Sequence, residues 1–152
     1  MNTETTSASV LVVVLDTNAV LDATVFADPG MRPLIDAITS GQLRWLASPP
    51  MRLELQRVLD GRLLAPRLAH TQAQRDGALA WFDRWACLQN EPPPDLLPRL
   101  RCSDADDQLF IDLALHCQAR YLVSHDRAVL KLARKARALG LLVMRPRDWA
   151  PA

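Results

Sequence analysis

Two apolar runs in this 152-residue chain each lead into a carboxylate. Residues 10–15 precede Asp16, and residues 121–124 precede His125 and Asp126. Near-continuous Val and Leu runs are typical of strands buried on both faces of a parallel sheet, and ligands bind beyond the carboxyl ends of such strands. Two carboxylates at one sheet edge need a cation or a raised pKa. The pair therefore predicts a metal site, although Asp before a helix is also a favoured N-cap.

Further acids lie in the first turn of a predicted helix, where the helix dipole favours negative charge without any other function. They are Asp104, Asp106 and Asp107. At about 100° per residue, Asp107 shares the apolar face that includes Phe110 and is turned toward the sheet, whereas Asp112 lies nearly opposite. Asp106 lies on the other flank of that face and remains a competitor of Asp107 as the third acid.

Glu54 is a fourth candidate. It falls at the edge of the buried stripe of its predicted helix, close in phase to Met51 and Val58. The alternative is a boundary glutamate paired with Arg57 on the same helix. Its possible role in a site depends on the other acids.

Carboxylates on separate elements suit Mg²⁺ or Mn²⁺, because these hard ions take oxygen ligands and usually retain several waters. The three cysteines, Cys87, Cys102 and Cys117, have no C-x-x-C spacing and predict neither a zinc site nor a disulfide framework. No glycine-rich phosphate loop is present. Ser124, His125 and Asp126 cannot form a hydrolase triad among themselves, because adjacent strand residues point to opposite faces.

Four blocks together resemble PIN-domain ribonucleases in order and spacing, and most closely the toxins of VapC-type toxin–antitoxin pairs. The resemblance covers nearly the whole chain, from about residue 10 to residue 144. The blocks are Leu15-Asp16-Thr17-Asn18, Ser48-Pro49 with Glu54-Leu55 and Val58-Leu59, Asp104-x-Asp106-Asp107 with Phe110 and Leu113-Ala114, and Tyr121-Leu122-Val123-Ser124-x-Asp126.

This resemblance implies a three-layer α/β/α domain with a mostly parallel sheet. It also implies that the domain hydrolyses RNA with Mg²⁺ or Mn²⁺. It implies that Asp16, Asp107 and Asp126 hold the principal ion and that Glu54 orients water or assists a second ion. Asn18 resembles the residue that orients the first aspartate, and Ser124 stands where threonine is frequent. A cognate antitoxin and a homodimer are the expected partners.

The elements that must position these acids follow from hydrophobic periodicity and from proline and glycine signals. Strands are predicted at 10–15, 43–47, 121–124 and 141–144, and helices at 31–38, 49 to about 60, 71–88, 104 to about 119 and 127–139. Alternating strands and helices predict parallel pairing with right-handed crossovers. Residues 90–95, with three prolines, must be extended. We expect residues 1–9 to be a flexible N-terminus and residues 10–152 to form a single domain.

Composition is typical of a globular protein, since 49% of residues are hydrophobic and 23% are charged. The three cysteines show no disulfide pattern, so we expect a reducing, cytoplasmic location. No apolar stretch approaches the roughly 20 residues of a membrane span, and no signal peptide is indicated. The net charge is +1, but a basic segment that begins with Arg127, Lys131 and Arg134 could contact an RNA backbone. A solvated helix face is the alternative. There are two rival interpretations. One is a PIN-like domain that binds RNA or a partner without cleavage, and the other is a receiver-like α/β domain.

Overall fold

The computed structural model describes residues 10–61, 72–93 and 99–151. Its centre is a five-stranded sheet in the order β3-β2-β1-β4-β5. All four pairings are parallel, which confirms the predicted fold class. The strands are β1 (Leu11–Leu15), β2 (Leu43–Ala47), β3 (Ala86–Leu88), β4 (Tyr121–Val123) and β5 (Leu142–Met144).

Helices connect the strands. They are α1 (Thr17–Thr24), α2 (Arg32–Thr39), α3 (Pro49–Asp60), α4 (Gln72–Trp85), α5 (Gln108–His116), α6 (Arg127–Leu130) and α7 (Ala133–Ala138). The chain runs from β1 outward to β3, then returns to β4 and β5. On the expectation that the crossovers are right-handed, the helices before β3 and those after it lie on opposite faces of the sheet. Among them, α1, α3 and α4 contact one another, and α5 contacts β1 and β4.

The direction of winding reverses between β1 and β4. These two strands are neighbours, with Leu15 opposite Val123. The backbone N–H of Asp16 extends the pairing by donating to the carbonyl of Val123 at 3.1 Å. A crevice outside the carboxyl ends of the strands opens at such a switch point, and it is the usual ligand site of doubly wound sheets.

The core fixes the strands that form this edge. Val13, Val14, Leu122 and Val123 are fully buried, as expected for parallel strands covered on both faces. Ser48 at the end of β2 is also buried. The apolar runs that predicted the strands therefore supply their packing. No helix in the described ranges is long and apolar enough to cross a membrane.

Three boundaries differ from the sequence prediction. Residues 86–88 form β3 instead of the end of a helix, because their backbone pairs with β2. The predicted helix 127–139 is two helices, since Leu132 donates to the Val129 carbonyl in a tighter i→i−3 bond between them. The helix predicted from 104 begins as a 3₁₀ turn, Ala105–Asp107, and ends before Gln118, whose φ is 55°.

Other expectations are placed as follows. Residues 90–93 form neither helix nor strand, in agreement with an extended connector, and residues 94 and 95 lie outside the described ranges. Residues 1–9 also lie outside them. The bounds of α1 were not predicted, although Asp16 precedes a helical pattern.

Candidate metal centre

Asp16 lies at the end of β1 and is 2% exposed. Its Oδ1 accepts a hydrogen bond from the backbone N–H of Ala19 at 2.8 Å, so Asp16 is the N-cap of α1. Its Oδ2 accepts a hydrogen bond from the hydroxyl of Ser124. Burial raises the pKa of Asp16 from 3.8 to about 6, and the two hydrogen bonds oppose part of that rise.

Ser124 joins the two strand ends. Its side chain is fully buried and donates to Asp16, while its oxygen accepts a bond from the backbone N–H of Asp126 at 2.9 Å. One hydroxyl thus fixes the first and the last predicted acids relative to each other. This contact gives Ser124 a physical reason to retain a hydroxyl.

Asp126 is the N-cap of α6, where its Oδ1 accepts from the backbone N–H of Ala128 at 2.8 Å. It also belongs to a group with Asp104 and Asp107, in which one carboxylate oxygen from each residue lies within 4.8 Å of the others. The negative charge of Asp16 acts on this group as well, since it contributes to the raised pKa of Asp107. Strand ends and the 3₁₀ turn therefore bring four carboxylates to one edge of the sheet.

Asp107 is the most perturbed member of the group. Burial raises its pKa to about 8, with further contributions from Asp126, Asp104 and Asp16. Its Oδ2 is buried and accepts no hydrogen bond from the described residues. Because two ionised carboxylates have no proton to donate, Asp107 and Asp126 can bond only when they share one. A cation would replace that proton.

The donor set fits a hard divalent cation. Carboxylate oxygens converge from separate elements, one of them is buried without a donor, and the like charges raise a pKa. Mg²⁺ and Mn²⁺ both accept such oxygen ligands and retain water in their remaining positions. The arrangement could therefore hold either ion.

Glu54 lies outside the group formed by Asp104, Asp107 and Asp126 within the described part of the chain. Its Oε2 accepts a hydrogen bond from the hydroxyl of Thr17 at 3.0 Å. Since Thr17 directly follows Asp16, this bond ties α3 to the start of α1 near the site. A role for Glu54 toward metal or water stays a prediction.

The remaining predicted residues lie around the four acids. Asn18 is exposed in the first turn of α1, and other groups hold both oxygens of Asp16. Asp106 is exposed and is not part of the acidic group, whereas Asp107 is, and the choice of third acid stays a prediction. The basic residues Arg127, Lys131 and Arg134 are all exposed.

Sequence reasoning missed two features. Asp104 was interpreted only as a helix-terminal acid, yet it both accepts from the backbone N–H of Asp106 at 3.0 Å and joins the carboxylate group. The sequence also gave no sign that Nε2 of His125 lies 2.5 Å from Oδ2 of Asp22 on α1. Only the fold brings these two residues together.

Comparison with known families agrees with this geometry. A family profile described as PIN domain matches residues 12–128, which include all four aspartates. The chain belongs to the PIN-domain family. The family resemblance inferred from the four sequence blocks is thereby confirmed.

The PIN domain is similar in fold to a chain in the crystal structure of VapBC2 from Rickettsia felis bound to a DNA fragment from their promoter. The TM-score is 0.59, and the match covers 88% of this chain and 97% of that chain. The identity is 14%, so the likeness concerns the fold. No match was found among curated proteins.

The raised pKa values predict how stability depends on pH in metal-free solution. A carboxyl whose pKa is higher in the folded protein than in the unfolded chain stabilises fully below the unfolded value, and that stability is lost as pH rises through the folded value. For Asp107 the window runs from 3.8 to about 8. We expect urea unfolding in EDTA to show a larger loss of stability between pH 5 and pH 8 in the wild type than in Asp107→Asn.

Added Mn²⁺ should recover that loss in the wild type at pH 8 and have less effect on the variant. Identical pH dependence of the two proteins in EDTA would show that Asp107 is not under the electrostatic strain described.

Ser124 gives a second prediction. Ser124→Ala leaves Oδ2 of Asp16 and the N–H of Asp126 without their shared partner, so the free energy of unfolding should fall by about 1–3 kcal/mol. Ser124→Thr keeps the hydroxyl and should recover most of it. Urea denaturation of the three proteins measures both effects. A Ser124→Ala midpoint equal to that of the wild type would refute the bridging role.

Proposed function

We propose that this protein is a metal-dependent endoribonuclease that hydrolyses RNA with Mg²⁺ or Mn²⁺. The observation that supports this best is the convergence of four carboxylates at the switch point of the sheet, with a buried oxygen of Asp107 that lacks a donor. Membership of the PIN-domain family agrees with a nuclease. A receiver-like α/β domain, the rival function, is disfavoured by Glu54, which lies on helix α3.

Asp16, Asp107 and Asp126 would hold the principal ion, with Asp104 beside them and Glu54 orienting water or assisting a second ion. The bound ion would act as a Lewis acid toward the phosphodiester and lower the pKa of the attacking water. Hydrolysis forms a bond from the water oxygen to phosphorus and breaks the bond to the 3′ oxygen, which leaves a 3′-hydroxyl and a 5′-phosphate.

The chain's own residues prepare this reaction. Ser124 holds the carboxylate of Asp16 in one orientation and fixes the backbone of Asp126. The exposed side chains of Arg127, Lys131 and Arg134 would contact the RNA backbone and offset the negative charge of the acids. Asn18 remains a candidate for orienting Asp16 once substrate is bound.

We further propose that the protein is the toxin of a type II toxin–antitoxin pair, acts in the cytoplasm and forms a homodimer. The similarity in fold to a chain of a VapBC2 complex supports a protein antitoxin as partner. An antitoxin would have to cover the acidic edge or keep RNA away from it.

RNA cleavage tests the enzymatic proposal. Purified protein with Mn²⁺ should shorten total RNA on a denaturing gel, and Asp107→Asn should reduce the rate on the order of 100-fold, because a metal ligand contributes several kcal/mol to transition-state stabilisation. The exposed neighbour provides a matched control: Asp106→Asn should stay within about twofold of the wild type.

Equal cleavage by the wild type and Asp107→Asn would indicate a contaminating nuclease and sink the proposal. RNA binding without any cleavage in Mg²⁺ or Mn²⁺ would favour the alternative, a PIN-like domain that binds RNA or a partner.

Growth of an expressing host tests the toxin proposal. Induction of the wild-type chain should arrest growth, and Asp16→Asn should remove the arrest while the protein accumulates to a similar level. Co-expression of the product of a short reading frame adjoining the gene should restore growth. Unimpaired growth with an active wild-type nuclease would point to a housekeeping enzyme instead.

A further inference from the structure

A cavity of about 480 Å³ lies beside the acidic edge. The connection is short, because His125 in its wall stands between Ser124 and Asp126 in the chain. The volume falls within the range of sites that hold small ligands. Its lining residues are Asp28, Gly30, His125, Arg145, Pro146 and Arg147.

Two 3₁₀ turns build the wall of this cavity, Pro29–Met31 and Pro146–Asp148. The first is closed by Asp28, whose Oδ1 accepts from the N–H of Gly30 at 3.0 Å. The turns are packed together, since a Cβ at Gly30 would lie 3.5 Å from Cβ of Arg147. The cavity is therefore formed by turns that support each other.

The charges of the lining suit a phosphate. Arg145 and Arg147 are exposed, and guanidinium groups match phosphate oxygens in geometry and charge. Arg145 is 3.2 Å from Asp148, but both side chains are nearly half exposed, so the pair is weak and leaves donors available. The imidazole of His125 is held in place by Asp22.

Asp28 adds an acceptor to the lining, and one of its carboxylate oxygens lies within 4.8 Å of ligand atoms of Asp22 and His125. One of its oxygens is used by Gly30, and the other can accept from a ribose hydroxyl or an exocyclic amino group. Such a combination of guanidinium donors and a carboxylate acceptor fits a nucleotide better than inorganic phosphate or an acidic peptide.

We propose that this cavity binds the nucleotide next to the scissile phosphate, with its phosphate on Arg147 and Arg145 and its sugar or base toward Asp28. The inference rests on the proposed ribonuclease function, because it takes the scissile phosphate to lie at the four aspartates. The positive charges of Arg145 and Arg147 would then offset the negative charge of the four aspartates along one RNA strand.

Nucleotide binding can be measured without cleavage. Titration of ¹⁵N-labelled protein with nucleoside 5′-monophosphates in EDTA should shift the amide resonances of Gly30, His125 and Arg147. Arg147→Gln should raise the dissociation constant roughly tenfold, because it removes a charge-assisted hydrogen bond but keeps most of the side-chain stem. Arg44→Gln, exposed on β2 toward the opposite edge of the sheet, is the matched control and should bind like the wild type.

Three results would overturn the proposal: no shifts in these amides, equal shifts with inorganic phosphate alone, or shifts with an acidic peptide but not with nucleotides.

In cleavage assays, Arg147→Gln should raise KM about tenfold with little change in kcat. Active wild-type protein with an unchanged KM in Arg147→Gln would refute the subsite and leave the ribonuclease proposal intact. Nucleotide-dependent shifts without any RNA cleavage would refute the ribonuclease proposal, and with it the placement of the scissile phosphate at the four aspartates. The cavity would then still be a nucleotide site.

Discussion

Mutual repulsion of carboxylates held away from water is the constraint on which the rest of this structure depends. An ionised carboxylate is costly to bury unless donors or a cation compensate it. Asp16 receives donors from Ala19 and Ser124, yet burial still raises its pKa to about 6. Asp107 has a buried oxygen without a donor, and its pKa rises to about 8. At neutral pH the metal-free edge therefore retains a proton that a divalent cation would displace.

Helix capping and the candidate metal site use the same residues. Asp16 and Asp126 each commit one oxygen to the first turn of a helix, and Asp104 does the same for the 3₁₀ turn. The cap fixes the rotamer of each side chain, and this leaves the second oxygen in a defined place. The two explanations of a strand-terminal aspartate, structural and functional, are thus compatible.

The predictable part of the structure was encoded locally. Apolar runs predicted β1 and β4, and helical phase turned Asp107 rather than Asp112 toward the sheet. Asp104 was missed because a helix-terminal acid looks the same in sequence whether or not it faces other carboxylates. The strand β3 was assigned to a helix because its pairing with β2 depends on residues about 40 positions earlier in the chain.

Helix α1 links the acidic edge to the neighbouring cavity. Asp16 at its start is held by Ser124, and Asp22 within it is paired with His125, so consecutive residues after β4 contact this helix at two points. Thr17 adds a bond to Glu54 on α3. Ala19 and Val20 are buried in the core and fix the helix from its other side. Because α1 contacts Glu54 through Thr17 and His125 through Asp22, and its N-cap Asp16 contacts Ser124, it connects the acidic edge to the cavity wall.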